Sequence, residues 1–327
     1  MTKLLLVMPY FNSYHIKIRD ELERLGFDVT LIRDSSKFVK LVHLKFLSKK
    51  LFHFYMQQVW PLLFMFRARG KYDVLLVIKG EELTPRICDK LINNSTLKKS
   101  LLYLWDSIAH NPKTEDILKY FNVRLSFDNA DCKIDDYQLE LFPLFFANEF
   151  ECADYDNDLP AKYDFCCIGA FKEERISFLL DIENVFKKKP RSYFFKLYMP
   201  WNQYLRKIIT IPGFYGKYGR FIFFKKMSLK TVSAIVHESR VVVDVPDKVQ
   251  SGLTMRTFEA LGAKKKLLTT NLNVVCYSFY NSNNIVTDLT KLSDDFVHQS
   301  YDDSVDKRDL HSLREWVLEI SNKLILR

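Results

Sequence analysis

Short, continuous apolar runs recur along this chain, each followed by a stretch of helical periodicity. That alternation constrains the fold more than any other feature. Leu4-Leu5-Leu6-Val7-Met8 has no polar interruption, as expected of a strand covered on both faces in a parallel sheet. Residues 9–13 form a loop, 15–25 carry apolar and long side chains at helical spacing, and Gly26 closes that helix. A second strand follows at 27–32. Strand, loop, helix, glycine and strand make the βαβ unit of a doubly wound α/β domain.

The rhythm then repeats. It predicts strands at 73–78, 101–105 and 123–127, with a helix starting near Pro85. Residues 149–158 are acidic and irregular and read as a linker. A second series predicts a strand at 163–168, a turn at Gly169-Ala170, and a helix at 173–187. Strands at 193–198 and 221–224 follow, then a helix at 228–238 with Ser228 as its N-cap and a strand at 240–245. A helix at 254–261 closed by Gly262, a strand at 266–270 and a last helix at 309–324 complete the series. A length of 327 residues suits two domains. The expected boundaries are 1–150, 160–308 and a final helix at 309–327.

Composition narrows the class. Hydrophobic residues are 48% and charged residues 27% of the chain, which excludes bulk disorder. The six cysteines include no CxxC pair or zinc spacing and read as reduced thiols. The apolar part of MTKLLLVMPYF is too short for a signal peptide, and no run of about 20 apolar residues marks a transmembrane helix. A cytoplasmic protein is expected. Net charge is +9, and residues 35–70 hold seven Lys or Arg and no Asp or Glu. Residues 37–66 interleave lysines with Phe, Leu, Trp and Met. They suit the surface of an anionic membrane, on the inner face of the cytoplasmic membrane, or else a buried helix pair with a basic outer face. Nucleic acid is not expected, because the stretch is apolar rather than arginine-rich.

In open α/β sheets ligands sit beyond the carboxyl ends of the strands. No GxGxxG, GxxxxGK[ST] or GxSxG occurs at those positions, which disfavours dehydrogenases, P-loop kinases and α/β-hydrolases. In the first half the strand-end and loop residues include Asn12, Lys79, Glu81, Asp106 and, just after the first loop, His15. Asp106 or His15 suits a general base, although Asp106 also suits a helix cap and His15 a structural role near a helix start. Lys79 suits an anionic acceptor or is a solvated turn lysine. In the second half they include Gly169, Lys226, Gln250, Ser251 and Gly252. The strongest local signal is QSGLTMRTFEALGA at 250–263. A glycine loop opens a helix there, and Arg256 and Glu259 lie three residues apart on one face. Helix N–H groups, the helix dipole and an arginine together suit phosphate oxygens. An intrahelical Arg–Glu pair without a ligand is the competing reading.

The segment QSGLTMRTFEALGAKKKLLTTN resembles the donor-binding region of GT-B glycosyltransferases, especially a group associated with bacterial capsule and lipopolysaccharide synthesis. DVLLVIKGEEL, LLYLWDS, RLSFDNAD and ELFPLFF are similar to the same group. The resemblance implies two Rossmann-like doubly wound domains facing each other across a cleft. An N-terminal acceptor domain, a C-terminal nucleotide-sugar domain and a last helix crossing back to the first are expected. It implies Arg256 on the donor phosphates and Glu259 on the nucleotide ribose, with Gly169, Lys226, Gln250, Ser251 and Gly252 around the donor. Asn12, Lys79 and Glu81 would serve the acceptor, a glycan or lipid-linked glycan. No metal or other cofactor is expected, since no DxD stands at a strand end and Asp154-Tyr155-Asp156 falls in the linker. One departure stands out: Ser251 lies eight residues before Glu259, where many retaining members carry an acidic residue. A non-catalytic GT-B-like binding subunit is the alternative.

Overall fold

The first apolar run lies inside a parallel sheet. Strand β1 (Thr2–Met8) pairs with β2 (Phe27–Arg33) through Leu4↔Val29 and with β3 (Val74–Ile78) through Leu4↔Val74. Strands β4 (Lys99–Leu104), β5 (Val123–Ser126) and β6 (Glu140–Leu141) extend the sheet in the order β2-β1-β3-β4-β5-β6, every pairing parallel. The computed structural model describes residues 1–35, 49–93, 96–152, 160–305 and 307–325. The expected linker 149–158 lies partly outside these residues, as does its Asp154-Tyr155-Asp156. So does 37–48 of the basic apolar segment.

A second parallel sheet contains β7 (Tyr163–Ala170), β8 (Tyr193–Tyr198), β9 (Ile222–Phe223), β10 (Ser239–Asp244), β11 (Lys266–Thr269) and β12 (Ile285–Val286). Its order is β12-β11-β10-β7-β8-β9. Taken from β9, the strands run third, second, first, fourth, fifth, sixth, which is the Rossmann order. Each sheet therefore has a switch point, at β1/β3 in the first and β7/β10 in the second.

The chain divides into two compact units. The first holds Met1–Leu144, Lys248–Gly252 and the chain from Leu313 onward; the second holds Phe145–Asp247 and Leu253–Ser312. Leu5, Val7, Trp60, Phe64, Leu75, Val77 and Leu102 are buried together in the first. Phe165, Leu179, Leu197, Val241, Val243 and Leu268 are buried in the second. Each large side chain buried in this way stabilises its unit by roughly 1.5–3 kcal/mol. The last helix, Leu313–Leu324, docks in the first unit: Trp316 Nε1 donates to Pro143 O at 3.1 Å, and its ring meets Tyr103 edge-on at 5.0 Å.

Several local readings differ from the structure. Gly169 and Ala170 do not turn; they are the last residues of β7, paired with Leu197 and Tyr198. Gly262 stays within the helix Met255–Gly262, and the backbone reversal falls on Lys264 at φ 51°. The last helix starts at Leu313, because Arg308–His311 form a 3-10 turn. A helix at Trp201–Thr210 was not foreseen.

Candidate functional site

At the switch point of the first sheet the backbone is strained. Asn12 and Ser13, after β1, have φ of 38° and 69°, and Lys79, after β3, has φ of 73°. Each left-handed non-glycine residue costs on the order of 1 kcal/mol or more, and such residues gather at functional sites. The Lys79 ammonium lies 2.7 Å from Asp106 Oδ2 and 2.9 Å from Glu81 Oε2. Burial alone would lower the Lys79 pKa, but Asp106 and Glu81 outweigh it and hold the ammonium well above the ordinary lysine range. Asp106, Lys79 and Glu81 are thus brought together, and the free cation and free carboxylate expected from the sequence are partners of one another.

His15 stacks on Tyr10 with ring centroids 4.3 Å apart, and its Nδ1 is buried without a hydrogen-bond partner. Burial, followed by Arg19 and Arg33, pushes its pKa below the usual histidine value despite a backbone hydrogen bond to Phe11. That shift favours the neutral imidazole, the form that can take a proton.

One group at this end escaped the sequence reading. Asp34 follows β2, its N–H donates to Met8 O at 3.2 Å, and its side chain is 1% exposed with Oδ1 unpartnered. Burial and the nearby Glu82 carboxylate raise its pKa to about 7, while Lys79 pulls it back part of the way. The strand-end rule points to Asp34 once it is applied to β2 as well as to β1, β3, β4 and β5.

Asp128, after β5, holds the loop that leads into the helix Met255–Gly262. Its carboxylate accepts from Ser251 N at 2.8 Å and Gly252 N at 3.2 Å, and it also hydrogen-bonds the Ser251 hydroxyl. The N–H groups of Ser251 and Gly252 are thereby satisfied inside the first unit. Glycine is required at 252 by close approach, since a Cβ there would lie 2.5 Å from Phe127 O. Gln250 Nε2 donates to Gly252 O at 3.1 Å.

At the switch point of the second sheet the strand-end carbonyls are held by arginines. Arg175 donates to Val245 O at 2.6 and 3.1 Å and to Ala170 O at 2.5 Å. Gly169 leaves room for it, because a Cβ there would sit 2.7 Å from Arg175 Nη1. Arg256 donates to Ile168 O at 3.2 Å and lies 2.5 Å from Glu259 Oε2. The Arg256 Nε is buried with no hydrogen-bond partner. Thr254 caps the helix start by accepting from Arg256 N at 3.1 Å, and Thr254 and Thr257 both donate to the buried Asp244. Burial raises the pKa of that carboxyl against the pull of those hydrogen bonds. Lys172 is paired with Asp247, and Lys226 is exposed with its ammonium 5.4 Å from the Tyr198 ring. Arg175, whose partners here are carbonyl oxygens, and the exposed Lys226 add positive charge on this side of the unit, which suits an anionic ligand. Among the described residues no group of three or more His, Cys, Asp or Glu is placed to hold a metal ion.

No known family profile matches the chain. No curated protein matches it in sequence. Solved structures do match over their whole lengths. A sucrose-phosphate synthase from Thermosynechococcus elongatus superposes with a TM-score of 0.60 at 9% identity, over 99% of this chain and 98% of that one. A glycosyltransferase from Rickettsia africae gives 0.57 at 10% identity, over 98% and 97%. A UDP-GlcNAc 2-epimerase from Neisseria meningitidis, solved with UDP-GlcNAc bound, gives 0.53 at 10% identity, over 98% and 99%. With two parallel Rossmann-like sheets, each with helices between its strands, and with this full-length likeness, the chain has the GT-B fold.

Proposed function

We propose that this protein is a glycosyltransferase that moves a sugar from a nucleotide-activated donor to a glycan or lipid-linked glycan of the cell surface, without a metal. The observation that carries the reading is the arginine-lined switch point of the second sheet, where Arg256 and Glu259 sit together beside β7 in a fold shared with glycosyltransferases. Arg256, whose Nε has no partner, would take the donor phosphates, and Glu259 the ribose. Lys172 and Lys226 would add positive charge around them. Ser251 and Gly252 would shape the loop rather than bind phosphate directly.

In the first unit His15 suits the base role better than Asp106, because Nδ1 is unpartnered while Asp106 is held by Lys79. In the step itself the acceptor oxygen bonds to the anomeric carbon and the bond from that carbon to the phosphate oxygen breaks. The acceptor proton passes to His15, and the nucleotide leaves with the electron pair, its charge balanced by Arg256. Asn12, Lys79 and Glu81 would orient the acceptor. The protein would act in the cytoplasm, on the inner face of the membrane, with residues 37–66 contributing contact. A non-catalytic GT-B-like binding subunit is favoured by one observation: Lys79–Asp106 and Arg256–Glu259 already satisfy each other.

A screen of nucleotide sugars with mixed glycan acceptors, followed by NMR, separates these readings. Transfer releases a nucleotide and forms a new glycosidic linkage, and His15→Asn lowers that rate by about 100-fold or more. Binding without turnover in every combination supports the subunit reading. Epimerised donor without release of nucleotide rejects transfer.

A further inference from the structure

The helix Trp201–Thr210 in the second unit presents its apolar side outward. Trp201, Leu205, Ile208 and Ile209 stand at i, i+4, i+7 and i+8, which is one helical face. All four are exposed, Trp201 by 55% and Ile209 by 81%, and Tyr204 alone in this helix is buried. The stripe continues beyond the helix in Ile211 and in Tyr215, which is 70% exposed. Fraying does not explain the exposure. Tyr204 packs on Phe224 at 4.9 Å and on Phe214 at 6.1 Å, and Trp201 meets Phe224 edge-on at 4.7 Å. Isolated apolar side chains on a surface are ordinary, but an aligned stripe marks an interaction site.

Charge identifies the occupant. Residues 184–237 contain twelve Lys or Arg and no Asp or Glu. Lys207 and Arg220 are paired with Glu173 and Glu183 across 2.9 and 2.5 Å. Arg206, Lys217, Lys225 and Lys226 are exposed and form no ion pair among the described residues, Lys217 feeling Glu173 only at longer range. We propose that this helix and the turn after it dock on an anionic lipid bilayer. The stripe enters the boundary between head groups and acyl chains, and the four cations lie at the level of the lipid phosphates. A protein groove would take the stripe without needing the cations, and nucleic acid would take the cations without the isoleucines. Among the described residues no helix is long and apolar enough to cross a membrane, which leaves an in-plane contact. The surface is separate in sequence from 37–66, and its docking does not depend on glycosyl transfer.

Sedimentation of the full-length protein with vesicles tests this. Binding is expected to phosphatidylcholine vesicles carrying phosphatidylglycerol, to weaken at high salt, and to be slight with phosphatidylcholine alone. Ile209→Glu, at a solvent-facing position, should weaken binding by about tenfold or more. Its circular dichroism and melting should match the parent. Joint replacement of Lys225 and Lys226 by Glu should weaken binding and flatten its salt dependence. No binding by the parent, or binding by a folded Ile209→Glu equal to the parent's, overturns the proposal. So does loss on Phe66→Glu with Ile209→Glu unaffected. If the parent ignores vesicles but is a dimer that Ile209→Glu makes monomeric by light scattering, the stripe is an interface between copies and the proposal falls.

Discussion

The two switch points share a topology and differ in chemistry. At β1/β3 the backbone is left-handed at Asn12, Ser13 and Lys79, a carboxyl is buried at Asp34, and an imidazole nitrogen has no partner. At the ends of β7 and β10 no residue is left-handed, and Arg175 and Arg256 are fixed onto strand-end carbonyls. The first end has a carboxyl whose pKa is raised to about 7 and an imidazole whose neutral form burial favours, and the second has arginines, which stay charged. A reaction that takes a proton from one substrate and leaves charge on the other needs both, and one Rossmann-like scaffold supplies either according to the side chains after its strands.

The largest expected effect lies at the second end. Arg256→Ala leaves the Glu259 carboxylate, 5% exposed, without its cation and should cost about 3–5 kcal/mol in urea unfolding. Replacing both residues by Met should cost less than that single change. A cost for the double replacement equal to the sum of the two single replacements would show that the pair is not coupled.

Next comes the first end. The Asp34 pKa is raised from 3.8 to about 7 in the folded state, so the native protein holds a proton that the unfolded chain releases. Stability from this group is full below about pH 4, declines as pH rises, and is lost above about pH 7. Asp34→Asn should remove that decline and raise stability at pH 8 by up to about 4 kcal/mol. Parallel stability–pH curves for parent and variant would place the carboxyl in water.

Gly252→Ala should cost roughly 1–3 kcal/mol, because the added methyl meets Phe127 O and backbone must move. Thr254→Ala, which removes a helix cap and one donor to Asp244, should cost about 1–2 kcal/mol. Both are read from denaturant midpoints. A neutral Gly252→Ala would mean that the loop is not held against Phe127.

Much of the scaffold was legible because uninterrupted runs such as Leu4–Met8 and Val74–Ile78 can satisfy both faces only inside a parallel sheet. The spacing of Arg256 and Glu259 was legible for the same reason, since three residues on a helix share a face. What was not legible depends on burial and on contacts distant in sequence. Nothing in the residue type distinguishes a buried Asp34 from a solvated one. The N–H groups of Ser251 and Gly252 look open until Asp128, more than a hundred residues earlier, is brought onto them. The helix at Trp201–Thr210 hid between Pro200 and Pro212, where isoleucines and aromatics also suit a strand, and its outward stripe violates the rule that apolar faces turn inward.

Calorimetric titration with UDP, GDP and CMP tests the central claim, that the second switch point holds the donor nucleotide. The parent should bind at least one of them. Folded Arg256→Ala, confirmed by circular dichroism, should bind that nucleotide about tenfold to hundredfold more weakly through loss of a charge-assisted hydrogen bond of roughly 1.5–3 kcal/mol, while His15→Asn should bind it as the parent does. Unchanged affinity in Arg256→Ala, or lost affinity in His15→Asn alone, would contradict the assignment.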